Sequence, residues 1–500
     1  MTFRLKKVLL FGAISVLTLC LTAFSCVFAN AEEPAATLLT NAAVTPNYRN
    51  LKDDNVNTFS SITELKITSD TAIDSVYIRF WNETPNYTLS CGGVTHAVTN
   101  EYLHSFTLLP DTFTDAKEIT VTFEKQINVS DVFAFTEGKL PDWVHVWKAP
   151  YDKADIMLNS THADDEHLFF AGVLPYHVAK DYRVQVVYFT DHNNTPGRRH
   201  ELLNGLWTVG VDHYPVISRF PDAYSTSAAG ALANVKYAGF TEDDLLAYQT
   251  EMLRRFKPQV VVGHDPKGEY GHGQHMLNTE TLLKAAELAK DAANYPDSAE
   301  KYGVWDTPKL YLHSYTENQI TLNWDEPLDR FGGMTAYQMS REAYKTHHSQ
   351  QYTWFTDWLR GPNGSFTSAT QIKTYSPCVF GLARTTVGED VEKNSFFENL
   401  ISYDEQIRLE QERLEKERQE QLRREEESRV AESERLESIR VESERVESLR
   451  IAESESIELE RQRLEALENK KSAQTKGIIA AIILVAAIAS LAVVIINKRK

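Results

Sequence analysis

The sequence predicts an α/β protein with a mainly parallel sheet, preceded by a β-rich segment and followed by a long charged helix and one membrane-spanning helix. Two observations carry the prediction for the central part. Short apolar strands alternate with amphipathic helices between Asp155 and Ala293, and polar motifs directly follow two of the strands. This alternation is typical of parallel sheets, whose functional loops lie at the carboxyl ends of the strands.

The first 31 residues have the pattern of a secretory signal peptide. Lys6 and Lys7 precede the apolar run 8–21, and residues 29–31 offer the small side chains of a cleavage site. A lipoprotein signal ending at Cys26 is the alternative, although the residues before this cysteine fit a lipobox poorly. We therefore expect residues 1–31 to be removed from the mature protein.

Residues 32–148 are predicted to form a β-rich, sandwich-like accessory domain. Apolar and polar side chains alternate in the runs 65–67, 76–80 and 119–123, and Asn, Asp, Gly or Pro residues separate these runs. An all-β segment follows from this pattern. Its tryptophans either pack in the core or stack on sugar rings, and the composition favours packing: Trp81, Trp143 and Trp147.

Residues 149–400 are predicted to form the α/β domain. The predicted strands are 156–158, 184–189 and 259–262, and the predicted helices are 201–207, 241–255 and 282–293. Thr241 with Asp244 three residues later has the spacing of a helix-capping box. Because these strands are separated by helices, we expect them to lie parallel.

Residues 402–475 are rich in Glu, Arg, Ser and Gln and predict a charged helical stalk. A ten-residue segment, 432–441, is nearly repeated as 442–451, which does not match a heptad. A coiled coil that would make a homodimer and a single helix held by Glu–Arg pairs both remain open.

Residues 477–496 are uncharged and long enough to cross about 30 Å of hydrocarbon as a helix. The basic stub 497–500 is expected to stay in the cytoplasm. With the signal peptide, this predicts a single-pass type I protein of the cell membrane whose globular domains, including the α/β domain, are extracellular.

The net charge of −18 and the cysteine count exclude two classes of protein. No basic patch rivals the acidic excess, so we expect no nucleic-acid partner. After removal of the signal peptide only Cys91 and Cys378 remain, which excludes a disulfide scaffold. Two buried thiols and one bridge between them are both compatible with the sequence.

Two polar motifs after predicted strands have the composition of a metal site. His162 and Asp165 lie in the acidic cluster after the first strand, and His275 lies about 110 residues later in a Gly- and His-rich loop. Zn²⁺ prefers His nitrogen and carboxylate oxygen and keeps a position for water in catalytic sites. These three side chains are therefore the predicted metal ligands, and Fe²⁺ or another divalent metal would accept the same set.

The remaining polar groups of these motifs fit the other steps of amide hydrolysis. Asp164 is the predicted general base for a metal-bound water. His272 and Tyr270 lie in the same loop as His275 and are predicted to stabilise the oxyanion and to protonate the departing amine.

These residues carry a resemblance to a known family. The segments that carry it are His162-Ala163-Asp164-Asp165-Glu166 followed by Gly172, then Arg198–Glu201, His264–His275 and Ala343–Gln350. In this order and at these separations they resemble the N-acetylglucosaminylphosphatidylinositol de-N-acetylase family (PIG-L, or LmbE-like). The similarity covers residues 152–398, about half of the chain.

The resemblance implies a Rossmann-like fold and zinc-dependent removal of an acyl group, usually acetyl, from an amino sugar. It implies the same metal ligands, His162, Asp165 and His275, and the same general base, Asp164. It implies that His272 either stabilises the developing charge or acts as the general acid. Tyr270 would be a mobile oxyanion partner, and Arg198 would contact the substrate. The family usually has Pro at position 163 and Asp at position 274. Gln274 has no charge with which to raise the pKa of His272.

Two other functions remain open. A surface adhesin would bind glycan through the β-rich domain and carry a weak or inactive deacetylase domain. A metal amidase would act on a different N-acyl substrate. The extracellular location favours an amino-sugar-containing glycan or glycoconjugate as the partner of the site.

Overall fold

The computed structural model describes residues 34–192 and 194–498. The predicted signal peptide lies outside this part of the chain, as do the last two residues of the basic stub. The chain divides into two compact units, one ending at Gln406 and one beginning at Ile407. The first unit contains all fourteen strands of the described residues.

The strands of the first unit run in two groups. The N-terminal group comprises β1 Ala43–Thr45, β2 Ser60–Thr68, β3 Ser75–Phe80, β4 Tyr87–Cys91, β5 Val94–Val98, β6 His104–Leu108 and β7 Glu118–Phe135. The second group comprises β8 Ile156–Ser160, β9 Val184–Tyr188, β10 Val216–Ile217, β11 Val260–Gly263, β12 Lys309–His313, β13 Gln319–Thr321 and β14 Val379–Thr385.

The α-helices lie among and after the second group of strands. They are α1 Val173–Ala179, α2 Pro196–Thr208, α3 Ala228–Tyr237, α4 Glu242–Phe256, α5 Gly273–Ala289, α6 Pro296–Tyr302, α7 Ala336–Tyr344, α8 Trp354–Arg360 and α9 Tyr403–Asn497. The start of α4 follows the sequence directly: Thr241 and Asp244 form the predicted reciprocal capping box.

The N-terminal strands form one antiparallel sheet built around the 18-residue strand β7. The sheet runs β1-β2-β7-β3-β6, and β4 joins β7 and pairs with β5. The three predicted apolar runs lie in β2, β3 and β7, and their core-facing side chains are buried. The runs in β2 and β7 alternate between buried and more exposed positions, as a sheet with one wet face requires, whereas β3 is buried along nearly its whole length.

The second sheet is mixed: five strands are joined by parallel pairings, and β14 pairs antiparallel with β12 and with β13. Its order is β10-β9-β8-β11-β12-β14-β13, and the first five strands in this order are parallel to one another. Strands β8, β9, β11 and β12 are buried along their whole length, as expected for a parallel sheet covered on both faces. In chain order the parallel strands read 3-2-1-4-5, the Rossmann-like arrangement, with the switch point between β8 and β11.

A chain of three buried histidines joins the N-terminal sheet to α2. The His200 ring donates from Nε2 to the Trp81 carbonyl oxygen, 3.1 Å away, so its Nδ1 accepts from His104 Nε2 at 2.7 Å. His104 Nδ1 in turn lies 2.8 Å from His145 Nδ1. Burial lowers the pKa of all three rings, so they bond as neutral groups and fix the two sheets in one unit.

The helix α9 has 95 residues and includes both the predicted stalk and the predicted span. Beyond Gln406, Arg and Glu side chains pair along it at i,i+3 and i,i+4, as in Arg413 with Glu410 and Glu417. Its apolar end is long and hydrophobic enough to cross a membrane, judged by length and composition alone. The single Gly477 does not interrupt the helix. In the first unit, Cys91 and Cys378 are free thiols.

Gly172, at the start of α1, is packed too closely for a side chain. Its φ is 96°, and a Cβ built on it would lie 2.3–2.7 Å from ring atoms of Trp324. We expect Gly172→Ala to lower the free energy of unfolding by about 2–4 kcal/mol through strain and overlap. Urea unfolding followed by tryptophan fluorescence measures this.

Gly239 is the matched control, because it has a similar φ of 91° and no described residue lies within 4 Å of a Cβ built there. Gly239→Ala should lower the free energy of unfolding only by the cost of the backbone conformation, about 1 kcal/mol. Equal losses for the two variants would contradict the close packing on Trp324.

Candidate active site

The two predicted motifs meet at the switch point of the second sheet. The acidic cluster follows β8, which ends at Ser160, and the second motif follows the neighbouring parallel strand β11, which ends at Gly263. Open parallel sheets bind ligands in the crevice outside such neighbouring carboxyl ends. The topology therefore brings residues about 110 positions apart in sequence to one crevice.

The three predicted metal ligands form a tight triangle of donor atoms. Nδ1 of His162 lies 3.2 Å from Oδ2 of Asp165 and 3.1 Å from Nε2 of His275, and the last two atoms lie 3.3 Å apart. In a tetrahedral shell with bonds of ~2.0 Å the ligand atoms are ~3.3 Å apart. All three side chains are buried. The donor set therefore fits a divalent metal in both chemistry and spacing.

Hydrogen bonds on the far side of each imidazole fix which nitrogen faces the triangle. His275 donates from Nδ1 to Glu269 Oε2 at 2.7 Å, which directs Nε2 into the triangle. His162 donates from Nε2 to Gln274 Oε1 at 3.0 Å, which leaves Nδ1 free. Such outer partners orient metal-binding histidines and set their tautomers.

Glu269 is the hub behind the triangle. Besides His275, its carboxylate accepts from Nδ1 of His264 at 2.9 Å and from Nδ1 of His313 at 2.6 Å. Burial alone would raise the pKa of Glu269, but the charges and hydrogen bonds of His264 and His275 outweigh burial and hold it well below its usual range. His264 accepts from the Thr161 amide through Nε2, so that nitrogen is already used.

Neither Glu269 nor His313 belongs to the predicted site. Glu269 was visible only as a loop residue six positions before His275, and His313 ends the distant strand β12. Their roles depend on three separate strand ends meeting, so no local spacing reveals them.

Replacing Glu269 by Gln is expected to weaken metal binding 10- to 100-fold, the usual cost of losing an outer-shell partner. The amide cannot accept from three imidazoles at once, so the ring of His275 loses its fixed orientation. Titration against a chelator of known affinity measures the change. Glu280→Gln is the control, because Glu280 is exposed on helix α5, the helix that also carries His275. This variant should leave metal affinity unchanged. An unchanged affinity for Glu269→Gln would contradict the role of the hub.

Asp164 lies beside the triangle in a backbone conformation that non-glycine residues seldom adopt, with φ of 108°. Strained residues of this kind cluster at functional sites. Burial, reinforced by the neighbouring Asp165 charge and opposed by Arg198, raises the pKa of Asp164 to about 7. The carboxyl group therefore exchanges a proton near neutral pH.

Arg198 contacts protein groups as well as the cavity. Its guanidinium donates to the Ala163 carbonyl oxygen at 2.7 Å and to Asp222 at 2.9 Å, and lies 3.5 Å from Asp164 Oδ1. The resemblance gave Arg198 a substrate contact, and the structure adds a positioning role toward Asp164. Asp222, which also lies 3.1 Å from His192, is a further site residue that the sequence did not indicate.

His272 and Tyr270 complete the wall near the triangle. His272 caps α5 and accepts from the Gln274 amide through Nδ1 at 3.2 Å. Burial, with the nearby His162 and His275, lowers the pKa of His272 to about 2, so the ring is a neutral donor through Nε2. The ring of Tyr270 meets that of His272 edge-on, with centroids 5.4 Å apart.

These groups surround a cavity of about 120 Å³. Six of the seven predicted site residues line it: His162, Asp164, Asp165, Arg198, Tyr270 and His272. His275 does not line the cavity, but its Nε2 contacts His162 and Asp165, which do. Gln350 and Phe355 also line the cavity, and only Gln350 belongs to a segment that the sequence analysis singled out.

A second group of potential ligands lies behind Asp164. Glu166, His167 and His347 are fully buried, and one donor atom from each lies within 4.8 Å of the others. Neither ring has a hydrogen-bond partner for its nitrogens among the described residues. Glu166 belongs to the predicted acidic motif and His347 to the segment Ala343–Gln350, whereas His167 belongs to neither.

Together the fold and the site define a Rossmann-like α/β protein with a buried His–Asp–His cluster at its switch point. Residues 157–286 match the family model "PIG-L: GlcNAc-PI de-N-acetylase". This match lies within the predicted α/β domain and supports the PIG-L/LmbE-like resemblance that the sequence motifs predicted.

Curated relatives are similar over the same region. A 1D-myo-inositol 2-acetamido-2-deoxy-alpha-D-glucopyranoside deacetylase 1 from Catenulispora acidiphila is 31% identical over 123 residues, covering 24% of this chain and 37% of the relative. A deacetylase of the same description from Streptomyces scabiei is 27% identical over 178 residues, covering 31% and 54%. The chain thus spans between about a third and a half of these relatives.

Among solved structures, the N,N'-diacetylchitobiose deacetylase from Pyrococcus horikoshii is similar with 15% identity and a TM-score of 0.33. The match covers 47% of this chain and 85% of that one.

Proposed function

We propose that this protein is a metal-dependent hydrolase that removes an N-acyl group from an amino sugar of a cell-surface or extracellular glycan. The acyl group that we propose is acetyl. One observation carries the proposal: His162 and Asp165, two members of the triangle of metal-type donor atoms, line the same cavity as the carboxyl group of Asp164, whose pKa burial raises to about 7. Amide hydrolysis needs both, a Lewis acid for the acyl oxygen and a base for water.

His162, Asp165 and His275 would hold a divalent metal, Zn²⁺ in our proposal, which would supply Lewis acidity at this site. Asp164 takes a proton from the water as oxygen attacks the amide carbon. The neutral His272 donates from Nε2 toward the charge that develops on the acyl oxygen, and Tyr270 supports it. The proton held by Asp164 is then available to the amine, which leaves as the C–N bond breaks and acetate forms.

Arg198 keeps this proton transfer in place. Its bonds to Asp222 and to the Ala163 carbonyl fix the guanidinium beside Asp164. The positive charge opposes the rise of the Asp164 pKa that burial causes. The carboxyl group therefore stays ionised often enough near neutral pH to act as a base.

The choice of an amino sugar rests on the matching family model and on the relatives, whose names describe deacetylation of a 2-acetamido-2-deoxy sugar. The extracellular location rests on the predicted signal peptide, the apolar end of α9 and the basic stub that follows it. In this arrangement the cavity faces glycans outside the cell.

Acetate release from a panel of substrates tests the proposal. The metal-loaded protein is incubated with an N-acetylglucosamine oligomer, an N-acetyl amino acid and an O-acetylated sugar. We expect acetate from the oligomer alone. Acetate from the N-acetyl amino acid alone would show that the substrate is another N-acyl compound and not an amino sugar. Binding of the oligomer without acetate release would favour the alternative function of a glycan-binding adhesin.

A further inference from the structure

A groove of about 950 Å³ lies between the N-terminal sheet and α2. Trp143 and the loop 54–57 line one side of it, and Asn204 and Thr208 of α2 line the other. Ligand sites usually have roughly 300–1,000 Å³, so this groove holds more than one sugar ring, whereas the catalytic cavity is far smaller.

Two segments of the chain connect the groove with the catalytic cavity. Asn57 lines the groove, and its Oδ1 lies so close to Gly197 that a Cβ there would be 2.2 Å away. The next residue, Arg198, lines the catalytic cavity. On a second segment, His348 lines the groove and Gln350 lines the cavity. On both segments, residues that line the groove are therefore close in sequence to residues that line the cavity.

Trp143 gives the groove a fixed aromatic platform. Its side chain is 38% exposed, although Phe133 packs edge-on against it at 5.1 Å between centroids. In addition, the guanidinium of Arg79 lies 5.7 Å from the Trp143 ring centroid, within range of a cation–π interaction. A ring that is held and still open binds the apolar face of a sugar with little further loss of side-chain entropy.

The polar groups of the groove suit hydroxyl and amide partners. The side-chain amides of Asn57 and Asn204 make no hydrogen bond within the described residues, so both face the groove with free donors and acceptors. Sugar hydroxyls and acetamido groups need this mixture of donors and acceptors.

The charge of the groove narrows the ligand class. Four carboxylates line it against two guanidinium groups: Asp54, Asp142, Glu201 and Asp212 against Arg79 and Arg330. This balance disfavours phosphorylated or acidic glycans and accepts neutral sugars or sugars with free ammonium groups. Deacetylation produces ammonium groups, so partly processed chains still fit.

We propose that this groove binds further sugar units of the same neutral or partly deacetylated oligosaccharide whose terminal unit reacts in the cavity. The inference rests on the proposed function and adds that the substrate is a chain of sugars. Binding energy from the remote units is then available to orient the reacting amide.

The test compares β-1,4-linked N-acetylglucosamine oligomers of one to six units. For the wild-type protein, kcat/KM for acetate release should rise by about 10-fold or more with length. Trp143→Ala and Asn204→Ala should flatten this rise and leave the rate on the single sugar unchanged. Tyr237→Ala, an aromatic residue 96% exposed outside the groove, is the matched control and should keep the full rise.

The same experiment separates the groove from the catalytic proposal. A rise with length that survives in both groove variants overturns the groove and leaves the deacetylase intact. If no oligomer releases acetate, the catalytic proposal fails, and hexamer binding to the Asp164→Asn protein decides the groove alone. Binding weakened about 10-fold by Trp143→Ala in that background supports it, and unchanged binding overturns it.

Discussion

Replacing Asp164 by Asn is expected to lower kcat for acetate release by about 10²- to 10⁴-fold, the range that a positioned general base contributes. The amide has nearly the same shape as the carboxyl group but cannot take a proton. Asn also tolerates positive φ better than most residues, so the strained backbone at this position should persist. Steady-state acetate release at saturating metal measures the effect.

Two controls separate this loss from a general one. Metal content of the Asp164→Asn protein should equal that of wild type, because Asp164 is not part of the donor triangle. Asp181→Asn changes another aspartate at positive φ, with a side chain 92% exposed, and should retain full activity. An Asp164→Asn protein that keeps more than a tenth of wild-type kcat would remove Asp164 as the base.

Replacing His275 by Ala should remove metal and activity together. Two donors of the triangle remain, and buried Glu269 loses one of its three imidazole partners. We expect metal affinity to fall by more than about 100-fold, beyond the cost of losing an outer-shell partner. Elemental analysis after dialysis against a weak chelator, with circular dichroism to verify the fold, measures this.

His96→Ala is the control for this variant, because His96 lies on the exposed strand β5 of the N-terminal sheet. It should bind metal as wild type does. Full metal occupancy in a folded His275→Ala protein would contradict the triangle and point to another donor set, such as the buried group that contains Glu166 and His347.

The main features of the α/β part were predictable from sequence because they depend on local patterns. Continuous apolar runs mark β8, β9 and β11, and the capping box marks the start of α4. Once parallel strands are expected, the polar motifs after them must lie at one edge. The meeting of His162 with His275 follows from this.

The start of α5 was not predictable in the same way. The sequence indicated a helix from Leu282, whereas α5 begins at Gly273. The cap is His272, whose ring accepts from the Gln274 amide, and histidine is not among the common capping residues. As a result His275 lies in the first turn of a helix.

Gln274 also has a partner that sequence spacing did not reveal. The comparison with an Asp at this position linked it to His272, but its side chain accepts from His162 and donates to the Pro221 carbonyl oxygen. A neutral amide is sufficient to fix the tautomer of His162. The partners of Gln274 come from separate loops, and only tertiary structure brings them together.

The most direct test of the central claim is mass spectrometry of an N-acetylglucosamine oligomer incubated with the metal-loaded protein. Hydrolysis at the His162, Asp165 and His275 centre predicts a loss of ~42 Da per reacted sugar, with one acetate released for each loss. The Asp164→Asn protein should leave the mass unchanged. An unchanged oligomer mass with wild-type protein that carries its full metal would contradict the assignment of this site as an amino-sugar deacetylase.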